Sequence, residues 1–269
     1  VEQTFGFRSD GSGAIIPATP EAMELWELGL SDRKKFFENK KPETQLICEA
    51  LELPFRRDAY ELVLSPEEKM EARARGEKWN GNNKVLVGIN TGCSPTIRYK
   101  KLSIPMHRQI ILELMSYSDV SIVLLGGGVE DEHRNREIGY GFPVHQSSTL
   151  AGLRDGMVSV QACDVVITGD SLGMHMAIAL QKWTVAWFGP TCAHEIDLYD
   201  RGEAVLTEAS CSPCWKRTCQ NNPMCYDRVP LEKMLESATK GIHAIKKSRH
   251  SDSISRGYAS LPAAHCTNP

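Results

Sequence analysis

From residue 84 onward the chain alternates two patterns. Short runs in which nearly every position is apolar are separated by longer stretches in which apolar residues recur every three or four positions. The runs cover 84–89, 120–125, 165–168, 184–188 and 204–207, and a shorter one lies near Val144. Runs of this length without polar alternation predict strands covered on both faces. The periodic stretches predict helices over 105–117, 130–139, 149–162, 173–180 and 231–247. Strands joined by helical crossovers define an α/β class with a parallel, doubly wound sheet.

Residues 1–83 lack this regularity. Thr19, Pro20 and Glu21 predict a helix start with Gly29 as its end, a second helix is expected over 43–51, and Ser65-Pro66-Glu67-Glu68 predicts a capped helix running to about residue 79 and stopped by Gly81-Asn82-Asn83. The basic residues Arg33, Lys34, Lys35, Lys40 and Lys41 read as a solvated face, with a basic edge beside an acidic acceptor as the other reading. After Arg249 the chain is rich in Ser with no periodicity, so 250–269 is expected to be a loose tail.

The organising unit is 164–191: strand, polar turn, helix, strand, closing on Gly189-Pro190. Its turn carries Asp170 and Ser171, with His175 on the opening turn of the helix. The free N–H groups and the dipole at a helix start suit a diphosphate. Two further loops leave strand ends on the same side and should converge with it. One carries Thr91, Gly92, Ser94 and Lys100, small groups and a cation suited to phosphate, or an ordinary solvated loop. The other is Gly126-Gly127-Gly128 followed by Glu130, a carboxylate placed to accept from a ribose hydroxyl or a first-turn acid favoured by the helix dipole.

Composition narrows the class. The 269 residues are 41% hydrophobic, enough for one large or two small cores, and the net charge of −3 with dispersed Lys and Arg argues against nucleic acid as a partner. No apolar run is long enough to span a bilayer, and a cytoplasmic location is the default. The chain opens without Met or a strand, so it is expected to begin inside a longer gene product. Four of the nine Cys cluster as Cys211, Cys214, Cys219 and Cys225, a C-x2-C-x4-C-x5-C spacing that suits structural tetrahedral Zn or a single Fe, against free thiols in a loose loop. Cys48, Cys93, Cys163, Cys192 and Cys266 read as small apolar fillers, or in the case of Cys266 as a loose thiol.

The order GDSLGMHMAIAL, AWFGPT, EIDLY, preceded by LLGGGVE and by the INTG…YKKL loop, resembles glycosyltransferase family 9, the ADP-heptose:lipopolysaccharide heptosyltransferases, well over 84–245 and more faintly before it. The resemblance implies a GT-B fold of two Rossmann-like domains. Residues 1–83 would be the last part of the N-terminal acceptor domain, and 84–249 the C-terminal donor domain with the Cys-rich loop 211–225. It also implies transfer of a sugar, heptose, from a nucleotide-diphosphate donor such as ADP-heptose to a lipopolysaccharide-type glycan, lipid-linked or protein acceptor, inverting and metal-independent at the phosphates. Asp170, Ser171, Gly173 and His175 match the donor-diphosphate motif, Lys100 the phosphate-facing lysine, Glu130 the ribose acid and Thr91 a loop hydroxyl. Gly173 is displaced by one from the commoner D-T-G-L-x-H order. The family's catalytic base is expected upstream of residue 1, and a branch that modifies proteins carries Cys-bound iron. Peripheral association with the inner membrane and an oligomer stay open. The other readings are a non-catalytic nucleotide-sugar-binding or assembly module lacking the base, and a nucleotide-sugar epimerase of the same architecture.

Overall fold

The computed structural model describes residues 4–81 and 84–259, the side chains of 252–259 excepted. A small antiparallel pair, β1 (Phe7–Ser9) and β2 (Ile15–Pro17), precedes α1 (Met23–Leu30), α2 (Glu43–Ala50) and α3 (Pro66–Asn80). The regular part then runs β3 (Val85–Asn90), α4 (Ile104–Leu114), β4 (Val120–Leu125), α5 (Val129–Gly139), β5 (His145–Gln146), α6 (Leu153–Ala162), β6 (Val165–Gly169), α7 (Leu172–Ala179), β7 (Trp183–Phe188), β8 (Gly202–Leu206) and α8 (Leu231–Ala259).

The six later strands form one sheet in the order β5-β4-β3-β6-β7-β8, every pair parallel. The chain enters at β3, builds outward to β5, then returns to lay β6 on the other side of β3. The loops after β3 and β6 therefore leave in opposite directions, which opens a crevice at their strands' carboxyl ends. Both faces are covered, as the unbroken apolar runs require. On one, Val85, Val87 and Ile89 pack with Ile110, Leu114, Met234 and Ile242 under α4, α5 and α8. On the other, Leu86, Val123 and Val166 pack with Trp79, Val160 and Met176 under α3, α6 and α7. The α3 start carries the expected capping box between Ser65 and Glu68, and Arg75 ties the helix to α6 through Asp155 at 2.7 Å.

The differences from the sequence reading are local. Gly29 lies inside α1, which opens from a 3₁₀ turn over Pro20–Ala22 and ends at Leu30 with Ser31 as its C-cap. Helix α6 starts at Leu153 rather than 149, because Gly152 adopts φ 92° and breaks the pattern, and Ser147, Thr149 and Gly152 line the crevice instead. Helix α8 continues through Ala259, ten residues into the expected loose tail. Arg249 anchors it, donating to Asp164 at 2.7 Å and to the Lys84 carbonyl at 3.1 Å. Residues 260–269 of that tail, and Asn82 and Asn83 of the expected helix stop, lie outside the described residues.

The stretch between α2 and α3 crosses the β7–β8 connection and is held there by charge. Arg57 forks onto Asp197 at 2.6 and 2.8 Å and reaches Asp200 at 2.8 Å, while the Tyr199 hydroxyl donates to the Asp58 carbonyl at 2.9 Å. This docking carries Tyr60 against Tyr199 and α7.

His107 on α4 is fully buried, with Nδ1 3.0 Å from the Ser103 carbonyl oxygen. Burial, with the Arg134 guanidinium beside it, pushes its pKa down from 6.5 to about 3. A folded-state pKa below the unfolded one gives stability that is present above pH 6.5 and lost as pH falls towards 3. At pH 5 the loss attributable to this group is about 2 kcal/mol. Urea denaturation of the wild type and His107→Gln at pH 7.5 and pH 5 checks this: the variant should show the flatter dependence, and equal slopes would remove the assignment.

Candidate functional site

Asn90, the last residue of β3, ties the converging loops together. Its amide nitrogen lies 3.1 Å from Thr168 Oγ1, 3.0 Å from Ser171 Oγ and 3.2 Å from the Gly92 carbonyl. Ser171 is the N-cap residue of α7, and its own hydroxyl also meets Thr168 at 3.2 Å. A Cβ on Gly173 would stand 2.7 Å from the Asn90 side-chain carbon, so the glycine is required for this approach despite its displaced position in the motif. The first-turn N–H groups of α7 open beside Ser171, in the geometry that binds anions.

A cavity of about 460 Å³ occupies the crevice, within the roughly 300–1,000 Å³ usual for small-molecule sites. Its lining is mixed: Asn90, Ser94, Asp131, Ser147, Thr149 and Ser171 are polar, Leu125, Leu153, Val160, Leu172 and Met176 are apolar, and the glycine turn 126–128 and Gly156 let the backbone line it closely. Gly128 adopts φ 89° and donates to the Thr149 carbonyl at 2.7 Å, which fixes the rim.

Asp131, not Glu130, faces this cavity. Asp131 is 7% exposed, accepts from the Gly127 N–H at 2.9 Å and is packed so closely by Gly92 and Gly126 that a Cβ on either would collide with it. Burial holds its carboxyl above the ordinary range. Glu130 is outside the cavity wall, largely exposed, and paired with Lys101 at 2.5 Å. One position along a helix turns a side chain by about 100°, which separates the two acids. Thr91 is fully buried and does not reach the crevice, because its hydroxyl is engaged by Asn135 at 2.5 Å and the Leu125 carbonyl at 3.3 Å.

Lys100 and Asp170 stand beyond Ser171 and pair at 3.3 Å, each 16% exposed. His175 is half-buried and its ring stacks against Tyr60, centroids 6.2 Å apart. Tyr60 comes from a stretch with no periodicity, so nothing in the sequence pointed to it. The structure thus gathers Lys100, Asp170, Ser171, Gly173 and His175 around the start of α7, and sets Thr91 and Glu130 apart.

The Cys loop folds against β7's exit. Cys225 is buried with Ile97 and Tyr99, Cys219 packs on the same cluster, and Cys211 is exposed. Burial pushes the Cys225 thiol up to about 11, the neighbouring Cys214, Cys219 and Cys211 adding to the rise. Among the described residues, however, the three metal-type ligand atoms that lie within 4.8 Å of one another belong not to this loop but to Cys192, His194 and Glu195.

Comparison with known proteins agrees with the fold. The profile of glycosyltransferase family 9 (heptosyltransferase) matches residues 41–225. Lipooligosaccharide heptosyltransferase 2 of Campylobacter jejuni is 26% identical over 166 residues, 58% of this chain and 51% of that protein. Lipopolysaccharide heptosyltransferase 1 of Pseudomonas aeruginosa is 38% identical over 81 residues, 30% of this chain and 22% of that protein. The chain spans about half the length of the Campylobacter relative. Among solved structures, Escherichia coli ADP-heptose lps heptosyltransferase II superposes with a TM-score of 0.54 at 17% identity, covering 73% of this chain and 57% of that one. A glycosyl transferase family 9 structure from Veillonella parvula gives 0.57 at 15% identity, covering 74% and 58%. The parallel sheet with helices on both faces is a Rossmann-like half of the GT-B type, and the chain belongs to glycosyltransferase family 9, the heptosyltransferase family.

Proposed function

We propose that this chain binds the nucleoside diphosphate of a nucleotide sugar, ADP-heptose, in the cavity at the β3/β6 switch point. There it serves transfer of the heptose, with inversion, to a lipopolysaccharide-type or protein acceptor. The observation that carries the reading is the position of that cavity at the N-terminus of α7, where Ser171, Leu172 and Gly173 line it and where Asp170, paired with Lys100, precedes Ser171. Its apolar side chains, Leu125, Leu153, Val160 and Met176, suit a nucleobase, and the N–H groups at the start of α7 suit a diphosphate. Asp131, which lines the cavity, would accept from a ribose hydroxyl, the role that the family resemblance assigned to Glu130.

In such a transfer the acceptor oxygen bonds to the anomeric carbon, a base takes its proton, and the bond to the diphosphate breaks. Lys100, His175 and the α7 N–H groups would stabilise the departing diphosphate, whose charge grows as that bond breaks. The base is proposed to lie outside residues 1–269. The Cys loop is proposed to hold a structural Zn or Fe once its four thiolates close on a common point, with elemental analysis of freshly purified, reduced protein as the check.

Gly156 supplies a test that leaves the fold intact. It lies within α6 on the cavity wall, and a Cβ there would meet nothing within 4 Å. Gly156→Leu therefore fills the cavity while raising helix propensity by up to about 1 kcal/mol. Calorimetric titration with ADP, UDP and GDP should show ADP binding of micromolar order in the wild type, at least tenfold weaker in Gly156→Leu, with no fall in melting temperature. Unchanged ADP affinity in the variant, or no nucleotide bound by the wild type, would overturn the proposal.

A further inference from the structure

The connection between β7 and β8 brings Cys192, His194 and Glu195 together on a 3₁₀ turn over Ala193–Glu195. One atom from each, a sulfur, a ring nitrogen and a carboxylate oxygen, lies within 4.8 Å of the other two. Cys192 is 3% exposed and the Glu195 side chain 16%. Such a mixed donor set suits a borderline divalent cation such as Zn²⁺, and three protein ligands leave a position open.

Two surrounding contacts fit this use. His194 Nε2 lies 2.9 Å from the Lys35 carbonyl oxygen, so Nε2–H donates there and the lone pair is left on Nδ1. A ring N–H given to a backbone carbonyl is the usual way in which a metal-binding imidazole is oriented. The cation now beside the cluster is the Lys35 ammonium, 3.4 Å from Glu195 Oε1 and 4.1 Å from the centre of the Trp215 ring. Lys35 lies on the turn Lys34–Glu38, so a side chain from the N-terminal segment stands where positive charge is required.

We propose that Cys192, His194 and Glu195 form a zinc site separate from the four-cysteine loop, and that Zn²⁺ and the Lys35 ammonium compete for it. On binding, Cys192 Sγ loses its proton to solvent and coordinates as thiolate, His194 coordinates through Nδ1 and Glu195 through a carboxylate oxygen. Lys35 moves off Glu195, while its carbonyl keeps the hydrogen bond from His194.

The test is titration of the full, reduced chain with Zn²⁺ against a chelator of known affinity, repeated with Co²⁺ so that sulfur coordination is seen in the absorption spectrum. His194→Ala should weaken one zinc equivalent at least 100-fold and leave any bound by the four-cysteine loop unchanged. Cys192→Ser should lose the cobalt–sulfur band of that equivalent. Lys35→Met should tighten the same equivalent about tenfold. Because that effect is a gain, it cannot come from unfolding. Zinc binding identical in the wild type, His194→Ala and Lys35→Met, or no zinc beyond the equivalents that Cys192→Ser retains, would overturn the proposal.

Discussion

Gly169→Ala is expected to lose about 3 kcal/mol of stability and at least tenfold in ADP affinity. Gly169 ends β6 opposite Trp187 on β7. A Cβ there would collide with the Lys100 backbone carbonyl and stand 2.9 Å from Trp187 Nε1. Neither neighbour can yield easily, since one is backbone and the other belongs to a side chain that is 2% exposed. Overpacking of this kind costs roughly 1–3 kcal/mol, and a backbone obstacle puts it at the upper end. The cheapest relief is to push the Lys100 loop away from the crevice, so stability and binding fall together. Urea denaturation and ADP calorimetry on one preparation would read both, and wild-type values in either would contradict the packing described.

Lys100→Ala should weaken ADP binding about tenfold with much less effect on stability. A lysine–phosphate contact is a charge-assisted hydrogen bond, worth roughly 1.5–3 kcal/mol. Lys100 is already engaged by Asp170 at 3.3 Å, so an arriving phosphate replaces one anion by another and the net gain lies at the lower end. Lys100→Arg, which keeps the charge, should recover part of the affinity. Equal ADP affinity in the wild type and Lys100→Ala would place the phosphates elsewhere.

The strands and crossovers were legible because each apolar run exceeds what a one-sided strand needs, and Val120–Leu125 has the expected limits. The strand order was not, since periodicity says which elements exist and not which lie side by side. The residues grouped around α7 were legible through a local motif, whose geometry a single turn determines. What the sequence does not carry is the direction in which a side chain points. Thr91 turns inward because Asn135, forty-four positions later, offers it a buried partner. Helix phase alone turns Asp131 to the cavity and Glu130 away from it. The clue to Asp131 was present in Gly92 and Gly126, small residues on two different loops that leave room for the same carboxylate.

Helix α8 has a consequence for the order in which the chain can fold during synthesis. Met234, Ala238 and Ile242 are fully buried in the core on one face of the sheet, with residues from β3, β4, β6, β7 and β8. Strands β3, β4 and β5 with α4 and α5 form a contiguous stretch that can pair as it leaves the ribosome. The apolar floor beneath α8 stays uncovered until the residues up to 242 have emerged. A nascent chain paused at β8 would therefore expose a continuous sticky surface, and such a chain is a natural client for a holding chaperone.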